Sequence, residues 1–371
     1  MNVIIFLIVL VVLILVHEFG HFIVAKKFGV RVDEFGIGFP PKLWGVKHGE
    51  TEYTINALPF GGFVKIFGED MNDESIQKIA NSSQAEKSFV GKPKLIQAAI
   101  IVAGVFFNFL LAWLLFSFGF MTGLPMPVGS APRGAAVSEV ALIITGVEKN
   151  SPADYAGLKT GDKIVSLQRG AEALEDITIP SVQSFIGEQS GKEIAFTFLR
   201  GKEEFGSVLV VPIDGLIPER AAIGISMDMV GTVNLSLLPA VWEGMKLAIF
   251  LTGIVIAAFA ELIAGAFSGG ADLGGIAGPV GIVALVGDAV QFGFVYLLGF
   301  VAIISVNLAV LNLIPFPALD GGRLLFLVIE AIKGSPLNQK VVSAFHTIGF
   351  FVLILLLLLV TYNDIMRLII N

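Results

Sequence analysis

The segment His17-Glu18-Phe19-Gly20-His21 puts two imidazoles and a carboxylate within five residues. On a helix, residues four apart share a face, so both imidazoles can turn to one ion with Glu18 beside them. Neutral imidazoles suit zinc, and a catalytic zinc takes three protein ligands and keeps one position open for water. The ion lowers that water's pKa to about 7, and a carboxylate in the place of Glu18 can take its proton as general base. The same residue types at a helix end would also fit an amphipathic patch snorkelling to water.

The third ligand has to come from elsewhere in the chain. With no cysteine present, thiolates are excluded and the donors are His, Asp, Glu or Asn. The richest polar cluster in an apolar setting is Asn307, Asn312, Pro315, Pro317, Asp320, Gly321 and Gly322. Two prolines two apart cannot continue a helix, so Asn312 to Asp320 reads as extended backbone. Asp320 there could complete a His2Asp site, or it could cap the helix that follows. Spacing alone leaves both open. His48 and His346 read as solvent or interface residues.

These residues sit on elements that composition assigns to a membrane. Of 371 residues, 55% are hydrophobic and only 15% charged, and the mean hydropathy is +0.85. A soluble globule carries about 25% charged residues. The net charge of -7 offers no basic stripe for nucleic acid. Four apolar stretches are long enough to span a bilayer: Val3 to Ala25, Leu95 to Met121, Val295 to Phe316, and Ala344 to Tyr362. The first lacks the basic start and small-residue cleavage site of a signal peptide. His17 lies about 21 Å along the first span, inside the bilayer. An ionisable group at such depth is a functional candidate.

Basic residues cluster at Lys26, Lys27 and Arg31, at Lys87, Lys92 and Lys94, and at Arg323, Lys333 and Lys340. The positive-inside rule therefore predicts residues 26–94 and 317–343 in the cytosol, and both termini and 122–294 outside. In Leu237 to Phe267 the uncharged core runs only from Leu247 to Ala260, flanked by Glu243, Lys246 and Glu261. It is expected to lie at the outer interface. The polar stretch Glu69 to Ser88 reads as a cytosolic loop. Between 135 and 230 charges return and alternating runs such as Ile194 to Leu199 and Val208 to Val211 predict strands of an α+β module. The expected domains are an N-terminal membrane core (1–125), an exterior module (135–230), an interfacial helix and linker (235–290) and a C-terminal membrane core (291–371).

Five segments carry a family resemblance: Val16 to His21, Leu58-Pro-Phe-Gly-Gly-Phe-Val-Lys65, Ala103-Gly-Val-Phe-Phe-Asn108, Gly278-Pro-Val-Gly-Ile282, and Asn312-Leu-Ile-Pro-Phe-Pro-Ala-Leu-Asp-Gly-Gly322. With them the chain resembles the site-two protease family of intramembrane metalloproteases, and within it the bacterial regulator of sigma-E protease group. The resemblance implies Zn2+ held by His17, His21 and Asp320 with Glu18 as base, in a multi-pass protein of the bacterial inner membrane. It implies a membrane-associated, re-entrant β-hairpin around Gly61, Gly62 and Phe63, whose edge could pair with an unwound substrate strand. Asn108, Asn307 and Asn312 are candidates for holding substrate backbone, though an asparagine in a span can equally bond a neighbouring helix. Ser151 to Ile164 resembles the helix-turn of a circularly permuted PDZ domain, with Ile223, Gly224 and Ile225 as its carboxylate loop. That module could bind peptide tails or act as a size-excluding spacer.

The fold expected is a polytopic α-helical membrane protein of four spans with an inserted PDZ-like α+β domain. The function expected is intramembrane cleavage of single-span proteins, such as anti-sigma factors or remnant signal peptides, at a site near the cytosolic side. A non-catalytic scaffold binding tails, with a structural metal, is the competing reading. A proton or ion transporter would more often show repeated halves, and none is visible.

Overall fold

The structure, a computed structural model, describes residues 2–69, 84–201, 204–218, 220–268 and 277–370. Most of the predicted polar loop lies outside these residues. The chain divides into two compact units. One gathers Met1–Leu115, Met245–Val286 and Val301–Asn371; the other holds Phe116–Gly244 with Gly287–Phe300.

The first unit opens with helix α1 (Asn2–Lys27), an apolar run whose last turn carries Lys26 and Lys27, where cations offset the helix dipole. Gly29, at φ +69°, turns the chain out of it. Strands β1 (Val32–His48) and β2 (Thr51–Ile66) follow, joined at Gly49 (φ +63°). Their pairing doubles up: Phe35 lies between Val64 on one side and Tyr53 on the other, while Trp44 to His48 pair with Thr51 to Ile55. The predicted hairpin is therefore a broader folded sheet, and among the described residues β2's run Gly62 to Ile66 pairs on one side only, with β1.

Helix α2 (Lys94–Thr122) crosses α1 closely. A Cβ on Gly20 would lie 2.5 Å from the Ala103 carbonyl oxygen, so only glycine allows this approach. Ala25, Val30, Val32, Ile66, Ile100 and Leu327 form the buried cluster beneath the crossing.

The second unit is built on a sheet. It contains β3 (Leu124–Pro127), β4 (Ala136–Val147), the short helix α3 (Pro152–Tyr155), β5 (Lys163–Arg169), β6 (Glu172–Ala173), helix α4 (Ile179–Gly187), β7 (Ile194–Arg200), β8 (Glu204–Val210), β9 (Ile213–Ile217), β10 (Arg220–Ala222) and β11 (Ile225–Asn234). The main sheet runs β3-β11-β4-β5-β7-β8, with β6 on β5 and a separate β9-β10 pair. The two alternating runs read from sequence fall in β7 and β8. Ser151 caps α3 and Thr178 caps α4 with a reciprocal box to Ser181. The core packs Leu142, Ile144, Leu167, Ile194 and Phe196. Asp162 is wholly buried, and its charge is met by Arg200, which donates two hydrogen bonds at 2.7 Å, and by the Lys159 backbone N–H at 2.8 Å. A carboxylate without such partners could not stay ionised there.

The remaining helices are α5 (Leu237–Ser268), α6 (Pro279–Phe292), α7 (Phe294–Leu313), α8 (Asp320–Lys333) and α9 (Gln339–Ile370). Among the described residues five helices, not four, are long and apolar enough to cross a membrane: α1, α2, α5, α7 and α9. The addition is α5, whose window from Leu237 to Gly265 has a mean hydropathy of 2.4. The sequence placed it at the outer interface on its uncharged core, Leu247 to Ala260; the whole helix is also long enough to cross. Glu243, Lys246 and Glu261 lie toward the ends of one continuous helix, where long side chains reach the interface without ending it.

Candidate metal centre

The region is set by how α1, α2 and the α7–α8 turn meet. His17 and His21 lie one turn apart on the buried face of α1. Across from them, α7 ends at Leu313, and residues 314–319 form a bend and turn that carries Ala318 at φ +73°. The sequence predicted extended backbone from Asn312; instead Asn312 lies in the last turn of α7, which ends at Leu313, and the prolines follow it. Gly321 and Gly322 make this turn possible. A Cβ at Gly321 would come within 2.1 Å of the Ile314 carbonyl oxygen, and one at Gly322 within 2.3 Å of that of Phe316.

Leu319 occupies the cap position of α8, with no side-chain cap, and Asp320 is the first helical residue. The Asp320 carboxylate turns to the imidazoles instead. Its Oδ2 is 2.9 Å from His17 Nε2 and 3.2 Å from His21 Nε2, and the two Nε2 atoms are 3.1 Å apart. Three donors bound to one zinc at its usual bond lengths are about 3.3 Å apart in a tetrahedron. The triangle observed is within a few tenths of an ångström of that face, so the residues fit the ion. Among the described residues this is the one group of three such ligands.

Surrounding groups orient the ring atoms. His21 Nδ1 lies 2.8 Å from the Ile100 carbonyl oxygen, which can only accept. Nδ1 therefore carries the proton and Nε2 presents its lone pair to the centre. Gly104 leaves the space in front: a Cβ there would be 2.4 Å from His21 Nε2 and 2.7 Å from His17 Nε2. Glu18 is half-buried beside the triad, its carboxyl against the backbone amide of Val64 in the one-sided run of β2.

The other predicted residues are placed as follows. Asn108 is fully buried, its side-chain Nδ2 3.1 Å from His17 Nδ1, and its backbone carbonyl accepts from Ser305 Oγ at 2.8 Å, tying α7 to α2. Asn307 Nδ2 donates to the Ile303 carbonyl one turn back along α7. Gly61 and Gly62 lie against Ile14 and Leu15 of α1, so the sheet rests on the helix one turn before the motif. Phe63 stacks on Phe39. In the second unit Ile223 belongs to the core, and its carbonyl accepts from Ala153 N–H. Gly224 has φ +78° and accepts from Glu148 N–H, and Ile225 starts β11 opposite Val147.

One residue was passed over by spacing arguments. His346 of α9 accepts the Ala318 N–H at its Nδ1, 3.0 Å away, and Gly349 packs against Pro317. Together they brace the turn that delivers Asp320. No local pattern marks His346 for this, because its partner is a backbone amide exposed by a left-handed residue.

The sequence pattern of peptidase family M50 matches residues 5–356. The chain belongs to this family. Its similarity to individual relatives extends end to end. It is 31% identical to the zinc metalloprotease RasP of Geobacillus kaustophilus, covering 99% of this chain and 98% of that one. It is 34% identical to a protein of Clostridium perfringens named as a candidate zinc metalloprotease, covering 95% of each. With a protein of Nostoc sp. carrying the same description the identity is 35%, over 93% of this chain and 91% of the relative. His17 and His21 thus lie on a helix long and apolar enough to cross a bilayer.

Proposed function

We propose that this M50 chain is an intramembrane zinc endopeptidase in which His17, His21 and Asp320 hold the ion and Glu18 is the general base. The observation that carries the reading is the meeting of Asp320 with two imidazoles 303 and 299 residues away in sequence, within 3.2 Å. Zinc held there supplies an activated water and polarises the scissile carbonyl. Glu18, adjacent to the triad, takes the proton from the attacking water and passes it to the leaving amine. A structural zinc would be closed by four protein ligands. The described residues supply three, which favours catalysis over the scaffold alternative.

The substrate class is single-span membrane protein, for example an anti-sigma factor or remnant signal peptide already shortened outside. A transmembrane helix hides its peptide bonds and has to unwind before it is cut. Among the described residues the run Gly62 to Ile66 has strand pairing on one side only, and it passes beside Glu18. An unwound segment added to that edge gains main-chain hydrogen bonds next to the base. Gly61, Gly62 and Phe63 shape this edge, and Asn312 and Asn307 at the end of α7 hold the substrate from the opposite side. The centre sits toward the cytosolic face, with the second unit outside the cell. Among the described residues its β11 has no strand opposite β4 from Ile225 to Met229, beside α4. That gap is the place for a peptide tail, with backbone N–H groups of residues 223–225 at its end.

The test is cleavage of a co-reconstituted single-span substrate in liposomes. Treatment with a strong zinc chelator is expected to stop cleavage, and one equivalent of zinc to restore it. Cleavage that continues after complete removal of metal would refute the proposal.

A further inference from the structure

Asn108 is buried against the metal centre, and its surroundings point to a use besides holding substrate. Its side chain is 0% exposed. The amide faces His17 Nδ1 at 3.1 Å, with Nδ2 toward the ring, and Oδ1 is the one buried side-chain nitrogen or oxygen without a hydrogen-bond partner among the described residues. This orientation suits a His17 that keeps its proton on Nε2 and donates it to Asp320. A His17 that binds metal through Nε2 has its proton on Nδ1 and needs an acceptor there. Asparagine meets this by a half-turn of its amide, which puts Oδ1 where Nδ2 was. One end of the amide lacks a partner in either orientation, so the ring decides between them.

We infer that Asn108 is a positioning residue for the metal centre: its Oδ1 accepts the Nδ1–H of His17 and fixes the tautomer that presents Nε2 to the ion. This rests on the zinc reading above. His21 is fixed in the same way, but by the rigid carbonyl of Ile100. His17 alone depends on a side chain, carried on backbone that Ser305 ties to α7 through the Asn108 main-chain carbonyl. Because the amide offers both a donor and an acceptor, the ring is matched before and after the ion arrives. A leucine of similar size offers neither. An aspartate offers the acceptor alone and serves only the loaded state.

The experiment compares wild type, Asn108→Leu and Asn108→Asp as full chains in detergent. Zinc affinity is measured by competition with a chromophoric chelator, and the visible spectrum of each cobalt-substituted protein is recorded. Asn108→Leu is expected to bind zinc 10–100-fold more weakly, the usual cost of losing such a partner, and to shift the cobalt bands. Asn108→Asp is expected to bind at least as tightly as wild type. Equal affinity and an unchanged spectrum in Asn108→Leu would overturn the inference. So would Asn108→Asp failing as badly as leucine, which would reduce Asn108 to packing. A wild type that takes up no zinc would instead defeat the zinc reading itself, so the two failures are distinguishable.

Discussion

Glu18→Gln is expected to lower the rate of intramembrane cleavage by about 10²–10⁴-fold, the contribution of a positioned general base. Zinc content should stay at the wild-type level. The substitution preserves size and leaves an amide oxygen for the Val64 backbone contact, so the sheet's hold on α1 is retained. What is lost is proton affinity, since a carboxamide cannot accept the proton of the attacking water. The loss corresponds to about 3–5.5 kcal/mol of transition-state stabilisation. Turnover of a single-span substrate in liposomes, together with metal analysis of the same preparation, checks both halves. Cleavage within a few-fold of wild type would remove Glu18 from the mechanism.

Gly104→Ala is expected to empty the site without unfolding the chain. The added methyl would sit 2.4 Å from His21 Nε2 and 2.7 Å from His17 Nε2. To reach about 3 Å the His21 ring would have to retreat by about 0.6 Å and the His17 ring by about 0.3 Å, whereas bond lengths at a metal site hold to within about 0.2 Å. Alanine otherwise favours a helix over glycine by about 1 kcal/mol, so α2 itself gains. The expected result is zinc binding weakened at least about 100-fold and loss of cleavage, with circular dichroism unchanged. Gly253→Ala on α5, where an added Cβ meets nothing within 4 Å, is the matched control. A Gly104→Ala protein with wild-type zinc would show that the space in front of the imidazoles is not the metal's.

How much of this was legible in the sequence differs from residue to residue. The α1 motif was readable because its geometry is local: helical periodicity alone puts His17 and His21 on one face. Asp320 was not decidable by spacing, since an acid before Gly-Gly suits a helix cap as well as a ligand. Only the fold puts Leu319 at the cap and frees the carboxylate. Strands β7 and β8 announced themselves through alternation. The doubled pairing of β1 and β2 did not, because Phe35 has partners on both sides and one-dimensional patterning shows neither. Gly104 read as one member of a family segment, and its function is volume, which no residue type encodes. The continuity of α5 was not legible either, because its flanking charges hide that Leu237–Ser268 is one helix. His346 was invisible for a related reason: it recognises a backbone group whose exposure depends on the conformation of Ala318.

The central claim is that one zinc is held by His17, His21 and Asp320. X-ray absorption at the zinc edge of the purified full chain, with and without Asp320→Ala, tests it most directly. The account predicts one zinc per chain in a sphere of two imidazole nitrogens and carboxylate or water oxygen at about 2.0–2.2 Å, disrupted by the alanine. A chain that holds no stoichiometric zinc, or a zinc sphere that Asp320→Ala leaves unchanged, would contradict it.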